Sequence, residues 1–179
     1  MVMDELSYDK ESLPAEHASQ LSSMTDEQTT VYNEIMEAIA SNQRGVFFVY
    51  GYGGLNSARE TWHSNQSHRE LHLPRIKPGS DLAELLIRAK LIMWDESPMI
   101  HKHGFEAVDR SLKDLMCVAD ARNATLSFGG KVVVFGDDFR QTLPVVSKGS
   151  RADVVHASLC SSYLWSSCKV LTLTKNMRL

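Results

Sequence analysis

Apolar residues recur at helical spacing in some stretches of this chain and in unbroken runs in others, and the two kinds alternate. Val31, Ile35 and Ile39, with Tyr32 and Met36 beside them, predict a helix through about Ala40. Thr25-Asp26-Glu27-Gln28 ahead of it reads as a capping box, with Thr25 as N-cap and Gln28 at N3. Val46-Phe47-Phe48-Val49-Tyr50 is a continuous apolar run bounded by glycines, as expected of a central parallel strand. Ser80 is placed to cap a second helix in which Leu82, Leu85, Leu86 and Ala89 share one side. An apolar strand at 91–94 follows, then a third amphipathic helix marked by Phe105, Val108, Leu112, Leu115 and Met116. Phe128-Gly129-Gly130 turns into a strand at Lys131–Phe135, and Lys169–Leu173 is a last β-like segment. Strands alternating with helices predict an α/β sheet with a parallel core. Residues 1–23 are polar without sustained period and read as a flexible lead-in, and 24–179 as the domain. Within it, 55–79 is irregular, holding His63, His68 and His72 and no clear apolar face.

The chemistry sits where strands end. Leu91-Ile-Met-Trp-Asp-Glu-Ser-Pro-Met99 carries two adjacent carboxylates out of an apolar strand. A buried parallel strand delivers such residues to the carboxyl edge of its sheet, where α/β proteins bind ligands. Asp95 there would face a bound Mg²⁺, and Glu96 could orient a water. The alternative is a solvated strand end that merely starts a turn. A glycine loop, Gly51-Tyr52-Gly53-Gly54, follows the first strong strand. Gly136-Asp137-Asp138-Phe139-Arg140-Gln141-Thr142-Leu143-Pro144-Val145 leaves another, and Asn176-Met177-Arg178 follows the last.

Bulk properties narrow the field. The 179 residues suit one domain, with 43% hydrophobic and 23% charged residues typical of a soluble globular protein. A formal charge of −3 gives no global attraction for nucleic acid, so any DNA contact is expected from a local patch. Arg59, Arg69, Arg75 and Lys77 make one candidate patch; a solvated loop is the plain alternative. Cys117, Cys160 and Cys168 are odd in number and lack CxxC spacing, which predicts free, mostly buried thiols in a reducing compartment. No histidine set has the spacing of a familiar zinc quartet. Trp94, Trp165 and Tyr163 are expected in packing rather than on a base-stacking platform. No apolar run approaches a membrane span and no signal peptide is visible, so the expectation is an intracellular protein without membrane contact.

The Asp-Glu pair resembles the Walker B arrangement of P-loop NTPases. Taken with the other segments, the chain resembles the petite-integration-frequency (Pif-type) DNA helicases, especially the plant and Helitron-related branch. That family's first motor domain reads D-E-Q, G-x-G-G-T-G-K-T, W-D-E-A-P-M, G-G-D-F-R-Q-x-L-P-V and N-M-R in order. The matches here are Asp26 to Gln28, a partial loop at 51–54, Trp94 to Met99, Gly136 to Val145, and Asn176 to Arg178, so that the resemblance covers roughly 24–54 and 80–179.

The resemblance implies a RecA-like three-layer domain with a mostly parallel sheet, lacking one helix–strand unit. It also implies ATP-driven, 5′-to-3′ DNA unwinding in repair, recombination and telomere maintenance, with ATP and Mg²⁺ as cofactors and single-stranded DNA as partner. The nucleus is the compartment implied first, the mitochondrion second. Gln28 would read the adenine edge, with helix capping as its other role, and Gly51, Gly53 and Gly54 would line the phosphates. Asp95 would hold Mg²⁺ through its water shell and Glu96 would activate the attacking water. Gln141 would sense the γ-phosphate, and Arg178 would bring a guanidinium near it.

The phosphate loop departs from the pattern. Where the family has T-G-K-T, this chain has Leu55-Asn56-Ser57-Ala58, so Ser57 replaces the phosphate-binding lysine and Ala58 the Mg²⁺-binding hydroxyl. Asp137 replaces a family glycine. A unit charge about 4 Å from a phosphate contributes roughly 4 kcal/mol at an effective dielectric of about 20. Its loss should weaken nucleotide binding on the order of a thousandfold. A deletion centred on Asn56–Arg59 is the simplest account, with Thr61-Trp62-His63-Ser64 weakly matching the T-x-H-S that follows in the family. The chain also stops at Leu179, before the family's second motor domain, which would have to come in trans. Two expectations follow: an impaired helicase motor, or a non-catalytic remnant that binds DNA or protein.

Overall fold

The computed structural model describes residues 21–41, 43–51, 79–95, 97–136 and 143–174. The expected lead-in and the irregular segment lie almost wholly outside them. Helix α1 (Asp26–Ala40) starts where the capping box predicts: the Thr25 hydroxyl accepts from the Gln28 N–H, and the Gln28 side-chain oxygen accepts from the Thr25 N–H at 2.9 Å. This satisfies two N–H groups that a helix start would leave unpaired. Asp26 and Glu27 set negative charge against the positive end of the helix dipole.

After α1 the chain runs through β1 (Gly45–Gly51), α2 (Asp81–Arg88), β2 (Leu91–Trp94), α3 (Lys102–Cys117), β3 (Val132–Gly136), α4 (Arg151–Ala157) and β4 (Cys168–Leu173). The strands form one parallel sheet in the order β2-β3-β1-β4. The chain therefore passes from β1 out to β2 and back to β3 on one side, and then from β3 across β1 to β4 on the other. A parallel sheet whose strand order reverses in this way opens a crevice outside its carboxyl ends.

Both faces of the sheet are covered, making three layers. On one face Val46 and Phe48 of β1, Val133 and Phe135 of β3 and Ile92 of β2 pack against Ala83 and Leu86 of α2 and Phe105, Val108, Leu112 and Leu115 of α3. The other face sets Phe47, Val49, Val132, Val134 and Leu173 against Ile35 and Ala38 of α1. The alternation along each strand follows from the two-residue pleat, and it explains why β1 and β3 read as unbroken apolar runs. Phe105 and Phe128 meet the Phe135 ring edge-on at 5.2 and 5.8 Å. Each such buried ring contributes about 1.5–3 kcal/mol.

Three expectations need correction. The strand at 91–94 is parallel but lies at the edge of the described sheet and is only half-buried, with Met93 36% exposed. A strand end that carries charge into solvent is easily accommodated there. In α2 the buried pair is Ala83 and Leu86 while Leu85 is exposed, and Ala89 has already left the helix as its C-cap. The cysteines are free, but Cys160 is exposed and Cys117 and Cys168 are half-buried.

Two side chains hold the layers in ways no periodicity shows. Asp109 of α3 is fully buried and accepts from the Phe128 N–H (2.6 Å), Lys113 Nζ (2.7 Å) and the Tyr163 hydroxyl (2.6 Å). Phe128 has left-handed backbone (φ 52°), a costly state for a bulky residue. The next residue, Gly129, also has positive φ, and a Cβ there would stand 2.7 Å from the Leu112 carbonyl oxygen. Lys131, 9% exposed, donates to the carbonyls of Ile87 and Ala89 at 2.7 Å each, capping the end of α2.

Candidate functional site

Because the strands are parallel and in register, their carboxyl ends share one edge. Val49 is level with Gly136, Trp94 with Phe135, and Gly51 with Leu173. Gly51, Asp95, Gly136 and Thr174 therefore lie along one edge of the sheet. A Cβ at Gly51 would meet the Leu173 Cβ at 3.3 Å, so a larger residue there requires Leu173 to give by a few tenths of an ångström. Helix α1 runs antiparallel to the sheet, which brings its N-terminus, with Gln28, to the same edge.

Asp95 is exposed at the end of β2. Its strand is anchored from behind by Trp94, whose ring lies 4.9 Å from Phe105 and 6.0 Å from Phe135. Trp165 likewise packs edge-on against Phe48 at 5.6 Å, so both tryptophans are packing residues as expected. After Asp95 a short 3-10 turn, Ser97–Met99, buries Ser97 and Pro98 and redirects the chain into α3. The Ser97 hydroxyl is fully buried and has no hydrogen-bond partner among the described residues.

Gln28 is 4% exposed, and the capping geometry is the role it displays. Next to it, the half-buried Glu27 reaches across to the end of β4. Its carboxylate accepts the Thr174 N–H at 2.8 Å and the Thr174 hydroxyl at 2.5 Å. Sequence reasoning assigned no role to Glu27, although it lies within the Asp-Glu-Gln motif. Lys169 Nζ adds a second tie between β4 and α1, 2.6 Å from Glu34.

The histidines near this edge serve local structure. His101 caps α3 by accepting from the His103 N–H, and His103 Nδ1 lies 3.1 Å from Glu106. Burial pushes the Glu106 carboxyl up, but hydrogen bonds from His103 and from Ser162 (2.9 Å) outweigh it and hold the group below its usual range. Among the described residues no group of three or more His, Cys, Asp or Glu side chains is placed to hold a metal ion. A cavity of about 400 Å³ lies at the opposite, amino edge of the sheet, lined by Glu34, Glu37, Arg44, Phe47 and Lys169 among others. It contains none of the motif residues.

Of the residues the motifs single out, the structure brings Gln28, Gly51 and Asp95 to the carboxyl edge. Gly53, Gly54, Glu96, Gln141 and Arg178 lie outside the described residues.

Comparison with solved structures gives the fold a precedent. The chain is similar to a Bacteroides Pif1 helicase in complex with ADP-AlF3 and single-stranded DNA, with 19% identity and a TM-score of 0.59 over 86% of this chain and 42% of that one. It is similar to Pif1 helicase from Candida albicans at 19% identity and a TM-score of 0.55, over 85% and 40% of the two chains. A structure of two coordinating Pif1 helicases unwinding forked DNA matches at 18% identity and a TM-score of 0.60, over 87% and 44%. These likenesses bear on fold: the layers described above are those of a RecA-like three-layer domain. The chain spans less than half the length of the solved helicases it matches. No curated protein matches it significantly. The sequence itself carries the remaining evidence, for the model of the PIF1-like helicases matches residues 60–179, about two thirds of the chain. With the acid-tipped strand and the parallel sheet in hand, that match places this chain in the PIF1-like helicase family.

Proposed function

We propose that the chain is the first motor domain of an ATP-driven, 5′-to-3′ DNA helicase, with nucleotide in the carboxyl-edge crevice and single-stranded DNA as the polymer. The observation that carries this reading is the convergence of Asp95, Gly51 and the capped start of α1 on one sheet edge, in a chain of this family. The Bacteroides relative holds ADP-AlF3 and single-stranded DNA, which supports the same classes of ligand here.

The residues fit the implied Mg²⁺ at one point. Asp95 offers an exposed carboxylate, a hard oxygen donor of the kind Mg²⁺ prefers. Mg²⁺ would supply charge neutralisation on the β- and γ-phosphate oxygens. Gln28 would bind the base, Gly51, Gly53 and Gly54 would approach the phosphates, and Glu96 would orient the water. Gln141 would sense the γ-phosphate and Arg178 would set a guanidinium beside it. The phosphate end fits poorly, because Ser57 and Ala58 bring neither the ammonium nor the hydroxyl that the loop uses.

That mismatch favours a second reading: a remnant that keeps the fold and binds DNA or protein without turnover. A titration of the chain with Mg²⁺-ATP, from micromolar to millimolar, separates the two. The motor reading expects saturable binding, weaker than in an intact loop by on the order of a thousandfold, that Asp95→Ala removes. ATP hydrolysis stimulated by single-stranded DNA would establish the motor. No uptake at millimolar nucleotide would refute it.

A further inference from the structure

We infer that the outer edge of β2 is a docking surface for a second copy of this chain, which adds its own β2 there in antiparallel fashion and joins the two sheets into one. Such docking would serve a motor or a remnant alike. Among the described residues no strand pairs with the outer side of β2. A row of main-chain N–H and C=O groups without a neighbouring strand is a template for another chain.

The described sheet has two edges, and only one of them is guarded. β4 carries Lys169 within the strand, its side chain largely in solvent, which sets a charge on that edge and discourages strand addition. β2 reads Leu91-Ile92-Met93-Trp94, with no charge, glycine or proline inside it. Apolar surface continues on both sides of this strand. Met93 is 36% exposed on the face that α1 covers only in part, and Ile87 of α2 is 44% exposed on the other. Ile87 occupies the flank of α2 away from Leu82, the residue that packs inward, so it looks out beyond β2.

A second copy matches this edge in shape and charge. Residues opposed across an antiparallel pair share a face of the sheet, so a two-fold axis normal to the sheet allows only registers that oppose residues of like parity. Setting Ile92 against Ile92 of the other copy meets that condition. Leu91 then lies opposite the exposed Met93 of the other copy, twice by symmetry, and the stem of Lys90 lies opposite Trp94. Antiparallel order also brings Lys90, exposed at the start of one β2, to the Asp95 end of the other. Parallel addition in register would lay Lys90 beside Lys90 and Asp95 beside Asp95. Assembly closes at two copies, because the edges left over are two guarded β4 strands.

The test follows the whole chain by analytical ultracentrifugation at low salt, from micromolar to near-millimolar concentration. Amide hydrogen exchange in Leu91–Trp94 is measured at both ends of that range. A monomer–dimer equilibrium is expected, with the outward-facing β2 amides better protected at the higher concentration. Met93→Lys and Ile87→Lys each put an ammonium on the seam and should weaken the dimer by about tenfold or more. Val170→Lys adds the same charge at an exposed position on β4 and should change it by less than about threefold. Circular dichroism confirms that each variant folds, and either seam variant alone suffices. A monomer at every concentration would overturn the proposal; protected β2 amides in that monomer would show the edge taken by another part of the same chain. A dimer that survives both seam lysines, or that Val170→Lys dissolves, would place the contact elsewhere and overturn it as well.

Discussion

Replacing Asp109 tests whether one buried carboxylate holds the α3 layer to the rest of the domain. Its side chain is fully buried and bonds to the Phe128 N–H, Lys113 and Tyr163. In Asp109→Ala these three donors fare differently. Lys113 keeps 23% of its side chain in solvent and Tyr163 is 52% exposed, so both can turn to water at small cost. The Phe128 N–H cannot, because that residue is fully buried, and an orphaned buried amide costs about 1–3 kcal/mol. Phe128 also sits at φ 52°, a strained conformation that Asp109 helps to hold and that can relax once the bond is gone, so the strain adds nothing to the loss. The expected loss is about 1–3 kcal/mol, a substantial share of the roughly 5–15 kcal/mol typical of a domain. Asp109→Asn keeps an oxygen for the Phe128 amide and should lose about half as much. Urea unfolding followed by tryptophan fluorescence gives both values. A loss below about 1 kcal/mol for Asp109→Ala, with unchanged denaturant slope, would refute the account.

Three further outcomes follow from single side chains. Ser97→Ala removes a buried hydroxyl that has no partner among the described residues and should raise stability by about 1 kcal/mol, read as a higher melting temperature; a fall would refute the reading that the hydroxyl is unsatisfied. Lys131→Met strips the ammonium from two carbonyls at the end of α2 and should cost about 1–3 kcal/mol in the same assay, whereas no change would leave the capping role unsupported. Burial and the bond to Asp109 push the Tyr163 phenol up to about 12 from 10.0. Its stabilising contribution is therefore complete below pH 10, declines as pH rises through 12, and should appear in an ultraviolet titration as one late phenol that Tyr163→Phe abolishes.

The layers were legible because their cause is local. The Thr25–Gln28 box, the Ser80 cap and the apolar runs of β1 and β3 express short-range chemistry that survives in any context. The edge position of β2 was not legible, since strand order depends on crossovers between distant segments and leaves no mark in four apolar letters. Asp109 was equally hidden. It stands on the apolar face of α3 between Val108 and Leu112, where a polar letter looks like a break in the pattern, and its partners lie 19 and 54 residues away. The site was half legible. Asp95 and Gly51 reach the carboxyl edge as strand logic requires, but motif letters name the groups that meet a ligand and pass over those, such as Glu27, that hold the framework.

This division bears on how a family motor can lose its phosphate grip and keep its shape. Among the described residues, those that build both faces of the core fall in 31–51, 82–135 and 159–173. Ties across the carboxyl edge are likewise made by Trp94, by Gly51 against Leu173, and by Glu27 with Thr174. A lysine that meets a phosphate contributes to ligand binding and little to folding, since an exposed ammonium is worth about 0–1 kcal/mol to the native state. Exchanging a lysine in that role for serine therefore removes phosphate chemistry and little folding energy. The two properties have separate physical carriers, so a chain with the family's sheet can fold normally and still bind nucleotide poorly. Fold resemblance alone then says nothing of turnover, and nucleotide titration of the chain itself has to decide it.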